Sequence, residues 1–207
     1  MAFRARAVLA FAFVFGSLSL SAQSQRPEDL ATGKLLVAPR QIPDPNFAES
    51  VILLVHYDSD GALGLMLNHR TKVPIARALP DLKGKRSDPV FVGGPVEMDG
   101  VLALLRASVA PEHAGRVFGN IYVVSNTAGL NQALAAGKGP GDFRIYLGYC
   151  GWGAGQLDNE VKHGAWYVFD RSESFVFDSD PASLWDRLVA RTGLSVARLF
   201  PGLPFRY

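Results

Sequence analysis

IYLGYCGWGAGQLDNEVKHGAW, residues 145–166, is the stretch whose reading decides the fold. It opens as β-rich sequence: Ile145, Tyr146 and Leu147, with Arg144 just before. Glycines then fall at 148, 151, 153 and 155, separated by Tyr149, Cys150, Trp152 and Ala154. A polar helical run from Gln156 to His163 is closed by Gly164, and a second β-rich run occupies residues 166–169. The expected order is strand, glycine loop, helix, strand. Glycines in such a loop permit positive φ and close backbone approach, and amides at a helix start attract anions. The loop therefore supplies candidate binding residues: Gly148, Gly151, Trp152, Gly153 and Gly155.

Working outward, residues 34–38 and 51–55 (KLLVA and VILLV) read as strands, the second apolar enough to be buried on both faces. Asp58 to Gly61 is a turn signal, and residues 62–67 complete a hairpin. A short helix is expected over 74–79, with Pro74 in its first turn. Strands follow at 90–92, 101–106 and 120–124. Ser125 or Asn126 caps a helix over 127–136. Another strand is expected at 175–177, then a helix over 181–192 with Leu184, Trp185, Leu188 and Val189 on one face. An apolar tail over 194–207 packs on the body. Eight or nine strands and four helices in uneven order indicate an α+β or mixed-sheet domain rather than a regular βαβ alternation.

The first 22 residues stand apart. Arg4 and Arg6 precede an uncharged, mostly apolar run over 7–20, and small residues follow to Ala22. That is the layout of a secretory signal peptide, and the run is shorter than the ~20 apolar residues that span a bilayer. An uncleaved anchor or a buried N-terminal helix is the alternative. Residues 23–33 form a flexible lead-in and 34–207 one domain. With 207 residues, 48% hydrophobic and 19% charged, the chain is globular in composition. It carries 21 Lys and Arg against 19 Asp and Glu; losing Arg4 and Arg6 leaves 19 of each. A neutral mature chain has no global attraction to phosphate backbones, so no nucleic acid partner is expected. No membrane association is expected once the leader is removed.

No motif of known chemistry is complete. Gly151 and Gly153 follow a strand and precede a helix, but Gln156 stands where a dinucleotide fingerprint needs its third glycine. There is no G-x-S-x-G, no P-loop, no C-x-x-C and no His pair at i, i+4, so catalytic residues, metal ligands and cofactors are assigned to none. Cys150, the lone cysteine, reads as a buried small hydrophobe beside Tyr149 and Trp152, as Trp152 and Trp166 read as core. Two further loops, one with Asp44, Asn46 and Phe47 and one with Gly93 and Gly94, read either as turn geometry or as walls of one pocket with the 148–155 loop.

Four segments in order carry a resemblance: LLVAP at 35–39, DPNFAESVILLVHYDSDGALGLMLN at 44–68, VFVGGPV at 90–96 and YLGYCGWGAGQLDNE at 146–160. Together they resemble the AlgH/YqgE family, small bacterial proteins with no settled activity. The resemblance implies a single α+β domain with a mixed, partly barrel-like sheet flanked by about four helices. It also implies a regulatory link in some bacteria. Ala154 stands where the family usually has proline, and His69-Arg70 where an Arg-Pro pair is common. Family members are usually cytosolic, whereas this leader points to export, periplasmic or secreted. The reading at this point is a non-enzymatic regulatory or ligand-binding domain using the 148–155 loop, its partner an unknown small molecule or protein. The alternative is a small-molecule-binding or thiol/redox enzyme using that loop and Cys150.

Overall fold

The computed structural model describes residues 24–82, 86–136 and 138–199, with side chains through Thr192. The expected leader over 1–22 and the end of the expected tail lie outside the described residues. The first strands are short and apolar: β1 (Leu35–Val37) and β2 (Val51–Asp58), whose Val51 to Val55 are all buried. Asp58 makes the hairpin turn, its Oδ1 accepting from the amides of Asp60 and Gly61 at 2.8 and 3.3 Å. β3 (Gly61–Met66) returns along β2. Then come β4 (Arg70–Pro74), the one-turn helix α1 (Ile75–Ala78), β5 (Pro89–Val92) and the long β6 (Val96–Arg106).

β7 (Ala114–Phe118) and β8 (Ile121–Val124) form a second hairpin. Helix α2 (Thr127–Ala135) is capped by Asn126, whose Oδ1 accepts from Gly129 N at 2.8 Å. β9 (Phe143–Gly153), α3 (Gln156–Lys162), β10 (Tyr167–Phe169), α4 (Glu173–Val176) and α5 (Leu184–Leu199) complete the order.

The sheet runs β10-β1-β2-β3-β9-β6-β8-β7, with β5 and β4 branching from β9. All pairings are antiparallel except β5 with β9, which is parallel through Phe91–Tyr146 and Val92–Leu147. One face carries Leu35, Leu53, Leu65, Leu104, Tyr146 and Ile121, strands from both ends of the order, in a single cluster. Side chains from distant strands meet on one face only if the sheet curls around them, giving a half-barrel. Leu184, Trp185, Leu188 and Val189 of α5 fill its mouth. The opposite face holds two clusters: Leu157 and Val161 of α3 cover Leu36, Ile52, Leu54 and Cys150, while Leu130 and Leu134 of α2 cover Ala103, Leu105, Phe143 and Ile145.

β9 enters all three clusters, and a bulge is what allows it. Leu147 lies with the α2 cluster and Tyr149 with the half-barrel interior, so alternation carries odd residues to opposite faces on either side of Gly148. Gly148 is the extra residue, with φ +69, a conformation glycine adopts without penalty. Past it, one edge of β9 changes partner. Tyr146 and Leu147 pair with β5, whereas Cys150 to Gly153 pair with β3.

The structure corrects several expectations. Residues 148–153 are not a loop: the strand continues through them to Gly153. Residues 175–177 are not a strand but the end of α4 and its exit, because the aromatic side chains there pack into the half-barrel without a strand to pair with. The last helix continues past Gly193 to Leu199, taking in part of the expected tail. β4 and β7 were not legible: β4 buries none of its residues and ends in proline, and β7 buries only Val117 and Phe118. Ten strands and five α-helices stand among the described residues, against the expected eight or nine and four.

Candidate functional site

Two of the candidate segments cross in close contact. Gly93 N donates to Leu147 O at 2.8 Å, Gly93 O accepts from Met66 N at 2.9 Å, and Cys150 Sγ lies 3.4 Å from the same carbonyl. A Cβ on Gly93 would come within 2.2 Å of Gly148 O, and one on Gly94 within 2.1 Å of the Tyr149 carbonyl carbon. The glycines at 93, 94 and 148 are therefore where two backbones pass at a separation no side chain permits. Cys150 is fully buried and burial pushes its thiol well above the ordinary range. A nucleophilic cysteine needs the opposite, an accessible thiolate.

The second half of β9 alternates. Cys150 and Trp152 point inward, Gly151 and Gly153 outward. Trp152 meets Trp166 edge-on at 6.2 Å, and Phe47 stacks near Trp152 at 6.5 Å and meets Trp166 edge-on at 5.5 Å. Both indole N–H groups donate to one oxygen, Glu160 Oε2, at 2.9 and 2.8 Å. Both tryptophans are buried, as expected from sequence. Phe47 is held in place by its own turn, where Asp44 Oδ1 accepts from Asn46 N at 2.9 Å. At the start of α3, Gln156 Oε1 accepts from Gly153 N at 3.1 Å. That bond ties the end of β9 to the first turn of α3, which is only seven residues long and starts from Gly155 without a side-chain cap.

Asn46 and Gly94 come together in a cleft of about 310 Å³ walled also by Met66, His69, Pro95 and Met98. His69 Nε2 is 3.0 Å from Ser50 Oγ, and Ser50 is fully buried. Burial pushes the His69 imidazole below its ordinary 6.5, opposed by the Glu49 carboxylate. Asn68 clamps the adjoining loop, donating from Nδ2 to Glu49 O at 2.8 Å and accepting from Val51 N at 2.9 Å. Three non-glycine residues have positive φ among the described residues; two, Glu49 at φ 54 and Glu97 at φ 45, neighbour cleft residues in sequence or contact. Met98 is 50% exposed.

Of the sequence candidates, the structure unites Phe47 with Trp152, Gly93 and Gly94 with Gly148, and Asn46 with Gly94. Asp44 serves the turn. Gly151, Gly153 and Gly155 lie outside the cleft, and no atom approaches within 4 Å of where a Gly155 Cβ would sit. Neither His69 nor Met98 stood among the binding candidates read from the sequence, where His69 was marked only as a departure from the family pattern. A histidine in the link between β3 and β4 and a methionine after Pro95 carry no distinguishing spacing. Among the described residues there is no metal-ligating cluster, and no helix is long and apolar enough to cross a membrane.

A family model described as AlgH-like matches residues 35–197. A UPF0301 protein of Streptomyces avermitilis is 38% identical over 183 residues, covering 84% of this chain and 93% of that one. One from Anaeromyxobacter dehalogenans is 33% identical over 187 residues, covering 85% and 94%. The solution structure of the AlgH protein from Pseudomonas aeruginosa superposes with a TM-score of 0.66 at 28% identity, covering 84% of this chain and 95% of that one. A crystal structure of a Corynebacterium diphtheriae protein has a TM-score of 0.65 at 23% identity, covering 78% and 87%, and shares the fold. The match begins at β1 and runs into α5, so it spans the half-barrel, the glycine crossing and the cleft, and the chain belongs to the AlgH-like family.

Proposed function

We propose that this protein acts by non-covalent binding rather than catalysis, at the cleft between the Asp44–Phe47 turn and the Gly93–Pro95 segment. One observation carries the reading: two loops marked independently in the sequence converge on one concavity of about 310 Å³. Met98, half exposed at its edge, supplies a flexible apolar contact. Asn46 and His69 supply hydrogen bonding, with the imidazole held neutral near pH 7 by burial. Glu49 and Glu97, in sparsely populated backbone conformations, fix the rims. The ligand class that fits is a small polar molecule or short peptide segment with an apolar end. The thiol-enzyme reading is disfavoured by the burial of Cys150.

Native mass spectrometry of protein purified from its own host tests the proposal. A bound mass is expected, lost in Met98→Asp and weakened in Asn46→Ala. Protein that carries no bound mass, or whose bound mass survives Met98→Asp, overturns it. We also infer export, on the charged start, apolar run and small-residue exit of residues 1–22. N-terminal sequencing should find a mature start between about residues 22 and 25; an intact Met1 or Ala2 terminus refutes it.

A further inference from the structure

A second cavity, of about 290 Å³, is walled by Phe91, Phe143 and Phe177 and flanked by Arg70 and Arg144. Arg144 is 6% exposed. It donates from Nε to Pro140 O at 3.2 Å, from Nη1 to Val176 O at 3.3 Å and from Nη2 to Asp178 O. Its guanidinium lies over Phe91 and Phe177, 5.1 and 5.7 Å from the ring centroids. All of these partners are uncharged. Asp88, the acid on the cavity wall, is taken by Arg86 at 2.5 Å, and the Asp178 carboxylate by Arg187 at 2.8 Å. Among the described residues Arg144 forms no salt bridge.

A buried cation without a counterion is costly. A guanidinium has five N–H donors, and carbonyls take three of them here. Beside it, the Tyr146 hydroxyl is buried, and its pKa is pushed up to about 12, mainly by burial and against the opposing effect of Arg144. Arg70, exposed on the same cavity, makes no ion pair among the described residues.

We propose that this cavity binds a small carboxylate carrying a single aromatic or branched apolar body. The carboxylate sits at Arg70 and Arg144, because a guanidinium fork matches a planar carboxylate. The apolar body lies against the three phenylalanines. The volume is at the small end of ligand pockets and suits one ring rather than a nucleotide. This site is separate from the Asn46–Met98 cleft, and neither reading depends on the other.

The test is ligand-observed NMR titration of the full chain with phenylacetate, 3-phenylpropanoate and 4-phenylbutanoate, each against its primary amide. At least one acid should saturate below about 10 mM and bind about tenfold or more tighter than its amide. Arg70→Gln should remove most of that difference while leaving amide binding unchanged, and Arg144→Lys should weaken the acid without abolishing binding. Arg70 is exposed, so its variant folds even if Arg144→Lys does not. Met98→Asp should change nothing. Absence of saturation by all three acids, equal affinity for acid and amide, or an unaltered preference in Arg70→Gln overturns the proposal.

Discussion

The two halves of β9 follow the same backbone direction and obey different rules. Phe143 to Tyr146 are buried on both faces, between the half-barrel interior and α2. Cys150 to Gly153 alternate, with Cys150 and Trp152 inward and glycines outward. The first half holds its place through side chains on both sides. The second holds through one aromatic cluster and through backbone pairing with β3. Between them lies the crossing of Gly93 and Gly94 over Gly148. A strand buried on both faces is plain in the sequence as an apolar run, whereas outward glycines give the Cys150–Gly153 half the composition of a loop.

Substitutions rank these parts. The largest effect belongs to the crossing. Gly94→Ala places its Cβ against the Tyr149 backbone, which cannot move without breaking β9. A loss of about 4 kcal/mol or more is expected, the range of severe steric faults. Urea unfolding followed by circular dichroism should show no cooperative native baseline. A near-wild-type midpoint would mean that the two backbones are not in contact.

Next come the anchors of the second half. Trp166→Ala and Trp152→Ala should each cost about 3–5 kcal/mol, because each empties a large buried volume and removes a donor from Glu160. By contrast Gly151→Ala, whose Cβ meets the Tyr149 ring edge at 3.2 Å and Val96 Cγ2 at 3.9 Å, should cost less than about 1 kcal/mol, as outward-facing substitutions usually do. If Gly151→Ala costs as much as Trp152→Ala, the alternation is wrong.

Cys150 tests the inward face by chemistry. Its thiol should react slowly with thiol reagents in the native protein and rapidly in denaturant, and Cys150→Ala should lose about 1 kcal/mol. Fast native labelling with a depressed pKa would restore the thiol-enzyme reading.

The smallest effect is a pH slope at His69. Its folded pKa lies below the ordinary 6.5, so the unfolded chain binds that proton more readily. The stability carried by neutral His69 is complete above about 6.5 and is lost as pH falls toward the folded value. His69→Gln should therefore differ less from wild type at acidic than at neutral pH in unfolding midpoints. A gap that widens on acidification would reverse the assignment.

The family, the α+β class, the β2–β3 hairpin, the Asn126 cap and the burial of Trp152, Trp166 and Cys150 were all legible in the residues alone. Those rest on local signals: apolar runs, turn residues, cap residues and motif order. Only the tertiary structure decided that residues 148–153 are strand, because an outward glycine and a loop glycine are the same letter. Only packing showed why Gly93, Gly94 and Gly148 must be small, since the reason for each lies about 55 residues away in the chain. The cleft was half legible: Asn46 and Gly94 stood in marked loops, whereas His69, just before β4, and Met98, within β6, carry no spacing of their own. The Arg144 cavity left no sequence trace, because a guanidinium is buried or exposed according to what curls around it, here segments as far apart as Arg70 and Pro181.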